Sequence, residues 1–112
     1  MDIQLKKGLL EVCVLSVLSQ VDSYGYKIVG DVSECIDISE STLYPILKRL
    51  ENNGCLTTFS SEHNGRLRKY YRITATGRQR IDDFLDEWSE MERVYQFILH
   101  KVNDVQEEHR DD

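Results

Sequence analysis

The chain has 112 residues, 40% apolar and 30% charged, with a formal net charge of −6. That length suits one domain plus an appended element, and the composition is that of an ordinary folded protein in water. No apolar run approaches the roughly 20 residues of a membrane span, and the first residues lack the basic-then-apolar pattern of a secretory signal, so a cytoplasmic protein without a membrane partner is expected.

Residues 5–20, LKKGLLEVCVLSVLSQ, place Leu5, Leu9, Val12, Leu15 and Leu18 at helical spacing, with Leu10, Cys13, Val14 and Val17 widening the stripe. A first helix apolar on most sides, and therefore largely buried, is predicted. Asp22-Ser23 breaks it and is read as the cap of a second helix over residues 24–35. After the break at residues 36–39 a third helix is predicted over residues 40–53, ESTLYPILKRLENN. Leu43, Ile46, Leu47 and Leu50 share one face of it, and Gly54 is its expected stop. Two short helices joined by a tight break, the second amphipathic with a polar start, make a helix-turn-helix.

The period then changes. CLTTFSS and RLRKYYRIT alternate and are rich in β-branched and aromatic residues, with Leu67, Lys69, Tyr71 and Ile73 on one face. Tyr70 and Tyr71 fall on opposite faces, so at least one belongs to the core. Asn64-Gly65 supplies the two positive-φ positions of a two-residue hairpin turn. A helix-turn-helix followed by a basic hairpin is a winged helix-turn-helix, a mainly α (α+β) fold with a two-stranded β wing. From Thr74, read as an N-cap, a long helix follows. Ile81, Trp88, Tyr95 and Val102 recur every seven residues, and Phe84, Met91, Ile98 and Val105 do so at an offset of three. That a/d pattern predicts packing against another helix, and a homodimer through Ile81, Phe84, Trp88, Met91, Tyr95, Ile98 and Val102. The expected organisation is a DNA-binding domain over 1–74, a dimerisation helix over 75–105 and a disordered polar tail over 106–112.

The negative total hides an asymmetry. Residues 41–81 carry eight cations against two acids, a net +6, and residues 82–112 carry a net −8. Phosphate binding needs a local positive field, not a positive total. Cys13, Cys35 and Cys55 have no metal-ligand spacing and read as small buried hydrophobes; His63, His100 and His109 are scattered. No metal, cofactor or catalytic residue is expected, since no nucleophile–base pair or phosphate-binding glycine loop is present.

A recognition helix presents its first residues to base edges in the major groove. Here these are Ser39, Ser41, Thr42, Tyr44 and Pro45, with Lys48 one turn on; simple N-capping is the competing role of Ser39 and Ser41. Pro45 removes an N–H and crowds the Ser41 carbonyl, and a bent first turn would aim Tyr44 outward. Arg66, Arg68 and Lys69 on the wing suit phosphate contact or minor-groove insertion, although basic residues also simply protect exposed strand edges.

YGYKI, STLYPILKRLENNG and GRLRKYYRIT-x-x-G, in this order and spacing, resemble the PadR family of bacterial transcriptional regulators, from about residue 8 to about residue 94. The short length with one long last helix is similar to the compact subfamily that includes drug-sensing repressors. The resemblance implies a dimer in which the last helix crosses onto the partner near its first helix, and a phosphate anchor at Lys27. It also implies an apolar slot for an aromatic or cationic effector at Trp88, walled by Val12, Ser16, Ile81, Leu85 and Glu92. Plain interface packing is the other role open to Trp88, and Phe84 one turn away would crowd a slot. A repressor on a pseudo-palindromic double-stranded operator is the implied function; the alternative is a winged-helix protein-interaction module without specific DNA binding.

Overall fold

A computed structural model describes the backbone of residues 1–111 and the side chains of residues 1–105. The order is α1 (Ile3–Leu18), α2 (Gly25–Val32), α3 (Glu40–Asn52), β1 (Leu56–His63), β2 (Arg66–Ile73) and α4 (Ala75–Asp111). The polar tail expected over 106–112 falls on residues whose side chains lie outside those described. By compactness the chain divides into Met1–Ile81 and Asp82–Asp112, so the first two turns of α4 belong with the winged helix.

In Met1–Ile81 most of the predicted apolar faces meet, but Leu5 at the start of α1 and Leu67 at the wing tip are exposed, against expectation. Leu10, Val14, Leu15 and Leu18 of α1 pack with Ile28 and Val32 of α2, and with Leu43, Ile46, Leu47 and Leu50 of α3. Leu56, Tyr71 and Ile73 of the wing close this core, and Ile81 packs against it half-buried. α1 begins two residues earlier than its apolar pattern because Asp2 caps it, accepting from the Leu5 N–H at 3.2 Å.

Asp22 and Ser23 do not cap α2. Tyr24 holds the N-cap position in extended conformation, with no side-chain hydrogen bond. Ser23 instead pairs with Tyr71: its N–H donates to the Tyr71 carbonyl at 3.2 Å, and its own carbonyl accepts from the Tyr71 N–H at 2.7 Å. Backbone groups of a buried strand residue need partners, and this extended stretch supplies them. α2 ends at Val32, not near residue 35, because the chain leaves the helix to turn Ile36 and Ile38 towards the core. Cys35 is consequently exposed, against expectation, whereas Cys13 is half-buried and Cys55 buried. Burial pushes the Cys13 thiol up, and the neighbouring Cys35 thiol adds to the shift.

The wing follows its sequence closely. β1 and β2 pair antiparallel from Leu56↔Ile73 to His63↔Arg66, and Asn64 and Gly65 turn the chain at φ 52° and 80°. Thr74 caps α4, accepting from the Gly77 N–H at 3.1 Å. Within Asp82–Asp112, Leu85, Trp88, Met91, Tyr95, Ile98, Val102 and Val105 are exposed. Among the described residues no helix is long and apolar enough to cross a membrane.

Candidate nucleic-acid interface

α3 starts with a hydroxyl cluster. Ser39 accepts from the Thr42 N–H at 3.3 Å, and its hydroxyl lies 2.9 Å from that of Ser41 and 3.1 Å from that of Thr42. Ser39 is thus committed to capping, and Ser41 and Thr42 are exposed on the first turn with hydrogen-bonding capacity left over. This end of a helix also offers free N–H groups and a positive dipole to an anion. α3 runs unbroken through Pro45. Tyr44 is half exposed, and its hydroxyl end lies close to Gly25: a Cβ added there would lie 2.7 Å from the Tyr44 hydroxyl oxygen. The ring lies over the start of α2, at a place only glycine leaves open.

One turn further on, Lys48 faces the wing. Tyr44, Lys48 and Glu51 of α3 line a cleft of about 300 Å³ together with Lys69 and Tyr71 of β2. Two lysines from different elements therefore line one opening, together with one glutamate. The Lys69 ammonium lies 5.5 Å from the Tyr71 ring. Burial chiefly pushes the Tyr71 hydroxyl up, with Tyr44 and Glu51 adding to the shift, which keeps it a neutral donor.

The opposite face of the hairpin is an aromatic stack. Phe59 and Tyr70 stack at 5.4 Å, and Tyr24 meets Tyr70 edge-on at 5.7 Å. Arg68 lies over Tyr24 at 3.8 Å and Arg72 over Phe59 at 4.7 Å. Arg72 also donates to Asp22 at 2.7 and 3.0 Å, a hydrogen bond that is the main cause of its raised pKa. Arg68 is therefore held over Tyr24 at the start of α2, whereas Arg66 is exposed beside the turn. Lys27 pairs with Asp31 at 3.0 Å along α2.

The residues of the implied effector slot fall in both compact units. In Met1–Ile81, Val12 is buried, and the exposed Ser16 turns its hydroxyl back to the Val12 carbonyl at 2.7 Å. In Asp82–Asp112, Phe84 stacks on Trp88 with centroids 6.0 Å apart, Leu85 is exposed, and Glu92 accepts from Gln96 at 3.1 Å. One indole face is thus already covered by a neighbour on the same helix.

Sequence reasoning missed one ionic site. Glu11 of α1 is buried, and its two carboxylate oxygens accept separately from Arg49 of α3 and Arg80 of α4. The available signal was a lone acid inside the apolar run GLLEVCVLSVL. Among the described residues no group of three or more His, Cys, Asp or Glu is placed to hold a metal ion.

Residues 14–83 match the family model described as the transcriptional regulator PadR-like family. The fold is similar to that of a Streptococcus mutans protein, with a TM-score of 0.75 and 41% identity over 84% of this chain and 89% of that one. A PadR family transcription regulator from Clostridium difficile is 30% identical, with a TM-score of 0.74 over 80% of this chain and 97% of its own. Bacillus subtilis PadR, solved in complex with operator DNA, is 26% identical, with a TM-score of 0.64 over 69% of this chain and 46% of its own.

Proposed function

The chain belongs to the PadR-like family of transcriptional regulators, and we propose that it binds a pseudo-palindromic operator as a homodimer and represses transcription. The observation that carries this reading is the cleft lined by both Lys48 of the recognition helix and Lys69 of the wing. Two cations on different elements, spaced by a folded scaffold, suit a phosphate backbone that follows the groove α3 enters. Thr42 and Ser41 at the head of α3 then face base edges, with Tyr44, braced over Gly25, beside them. Arg66 at the wing tip adds sequence-independent charge, while Lys27 and Arg68, already engaged by Asp31 and Tyr24, have smaller roles. The relative solved in complex with operator DNA supports DNA as the partner.

Selection of duplexes from a random library by the purified protein tests it. The selected sites should be inverted repeats with half-sites about 34 Å apart, and binding should weaken steeply with salt. Thr42→Ala should cost about 1–3 kcal/mol on the selected duplex and leave random duplex binding unchanged. Salt-sensitive binding of equal strength at every sequence would argue against base reading; no duplex binding at all would leave a protein-interaction module.

The effector belongs to the same reading. Trp88, exposed on the apolar stripe of α4 and stacked on one side by Phe84, offers its other face to a planar aromatic cation. Glu92 lies one turn on and Leu85 less than one turn before, and the family resemblance adds Val12, Ser16 and Ile81 to the effector residues. Planar cationic dyes should quench Trp88 fluorescence and lower operator affinity together, with Trp88→Ala abolishing the dye's effect on operator affinity. Unquenched fluorescence at saturating dye would reduce Trp88 to interface packing.

A further inference from the structure

We infer that Glu11 is a positioning residue for DNA recognition, coupling the first turns of α4 to α3 through its two arginines; this rests on the reading of α3 as the recognition helix. Glu11 lies on the buried face of α1, its side chain 7% exposed. Oε1 accepts from Nε of Arg49, in the last turn of α3, and Oε2 accepts from Nη2 of Arg80, in the second turn of α4. One anion therefore serves two cations on two different helices, each using a single oxygen.

That sharing makes the arrangement switchable. A guanidinium prefers to grip a carboxylate with two parallel N–H···O bonds, and Arg49 is denied this while Arg80 holds Oε2. When Arg80 withdraws, Oε2 is a buried acceptor without its charged donor, which is costly to leave unfilled. Arg49 is the group in place to take it, by rotating onto both oxygens. The two arrangements are discrete, as an element that transmits a signal requires. Arg49 and Lys48 are neighbours on α3, so a change of grip that draws on the backbone of the last turn of α3 also displaces the backbone that carries the lysine lining the α3–wing cleft. Arg80 lies on the same helix as the apolar stripe, and a turn of the first residues of α4 about the helix axis is the motion that withdraws it.

Arg80→Gln tests this with two independent readouts, since Arg80 lies neither on α3 nor on the wing. Amide hydrogen exchange over residues 44–52 should change relative to the exchange of α1. The ratio of selected-duplex to random-duplex affinity should fall about 5- to 150-fold, the usual range of coupling between sites, with random-duplex binding unchanged. Arg49→Gln should abolish the further effect of Arg80→Gln on both readouts, because the relay then has no second arm. If Arg80→Gln folds poorly, Arg80→Met, which keeps the aliphatic stem and removes the donor, should give the same signs, and Arg80→Lys, which keeps a charged donor for Oε2, should restore both readouts towards wild type. A lower melting temperature with unaltered α3 exchange and unaltered selectivity would overturn the inference and leave Glu11 a structural ion pair. If the wild-type protein selects no sequence, the regulator reading fails, and the exchange measurement still decides whether α4 and α3 are coupled.

Discussion

Met91→Glu combined with Ile98→Glu is expected to convert the proposed dimer into a folded monomer and to lower operator affinity about 100- to 10,000-fold, the span by which linked binding exceeds single binding. Both residues lie in one heptad series of α4 and both are more than half exposed in the single chain. With Trp88, Tyr95, Val102 and Val105 they form an apolar stripe far longer than an unpartnered surface carries. Burying it gains roughly 25 cal/mol per Å². A carboxylate at each position must either lose its water or keep the helices apart, and in a symmetric pair it also meets its own copy. The winged helix should survive, because its core closes within Met1–Ile81. Sedimentation should therefore report a monomer while circular dichroism and the melting transition of the winged helix persist. A variant that still sediments as a dimer would place the interface elsewhere.

The features legible in the sequence are those whose cause is local. The stripe of α3, its stop at Gly54 and its cap at Ser39 follow from neighbours within a turn or two. Asn64-Gly65 fixed the register of the wing by itself, since the turn allows only one pairing. Thr74 as the cap of α4 is likewise a matter of three residues. Asp22 and Ser23 misled because a capping sequence is also a good bridging sequence, and the competitor, the unpaired edge of Tyr71, is remote in the chain. The candidate interface divides the same way. The positions of Ser41, Thr42 and Lys48 on α3 could be read from spacing, but not that Arg68 would settle on Tyr24, nor that Tyr44 would lie over Gly25. Charge counting finds cations; it does not find which of them the fold already occupies. Glu11 is the sharpest case, a buried acid whose two partners lie on other helices.

Gly77→Ala should destabilise the winged helix by about 1–3 kcal/mol, the range for overpacking a filled core, although alanine is the better helix former by about 1 kcal/mol. Gly77 stands in the first turn of α4, and a Cβ there would lie 2.5 Å from the Cys55 carbonyl oxygen and 2.7 Å from Cγ1 of Ile73. Neither neighbour can yield easily. The Cys55 carbonyl accepts from the Thr74 N–H at 3.0 Å, and the Thr74 hydroxyl donates to the Gly54 carbonyl at 2.6 Å while accepting from Gly77 itself. Ile73 is buried in the core at the end of β2. Making room for one methyl group thus means moving the junction that joins the start of β1 to the start of α4. Gly30→Ala is the control, since it lies inside α2 with nothing within 4 Å of the added carbon. There the same substitution should stabilise by roughly 0.5–1 kcal/mol, the ordinary cost of glycine in a helix. Thermal unfolding of the two variants should move in opposite directions, Gly77→Ala several degrees down and Gly30→Ala slightly up. A Gly77→Ala protein that melts at or above the wild-type temperature would mean that the junction relaxes freely, and that helix propensity outweighs the contact with Cys55.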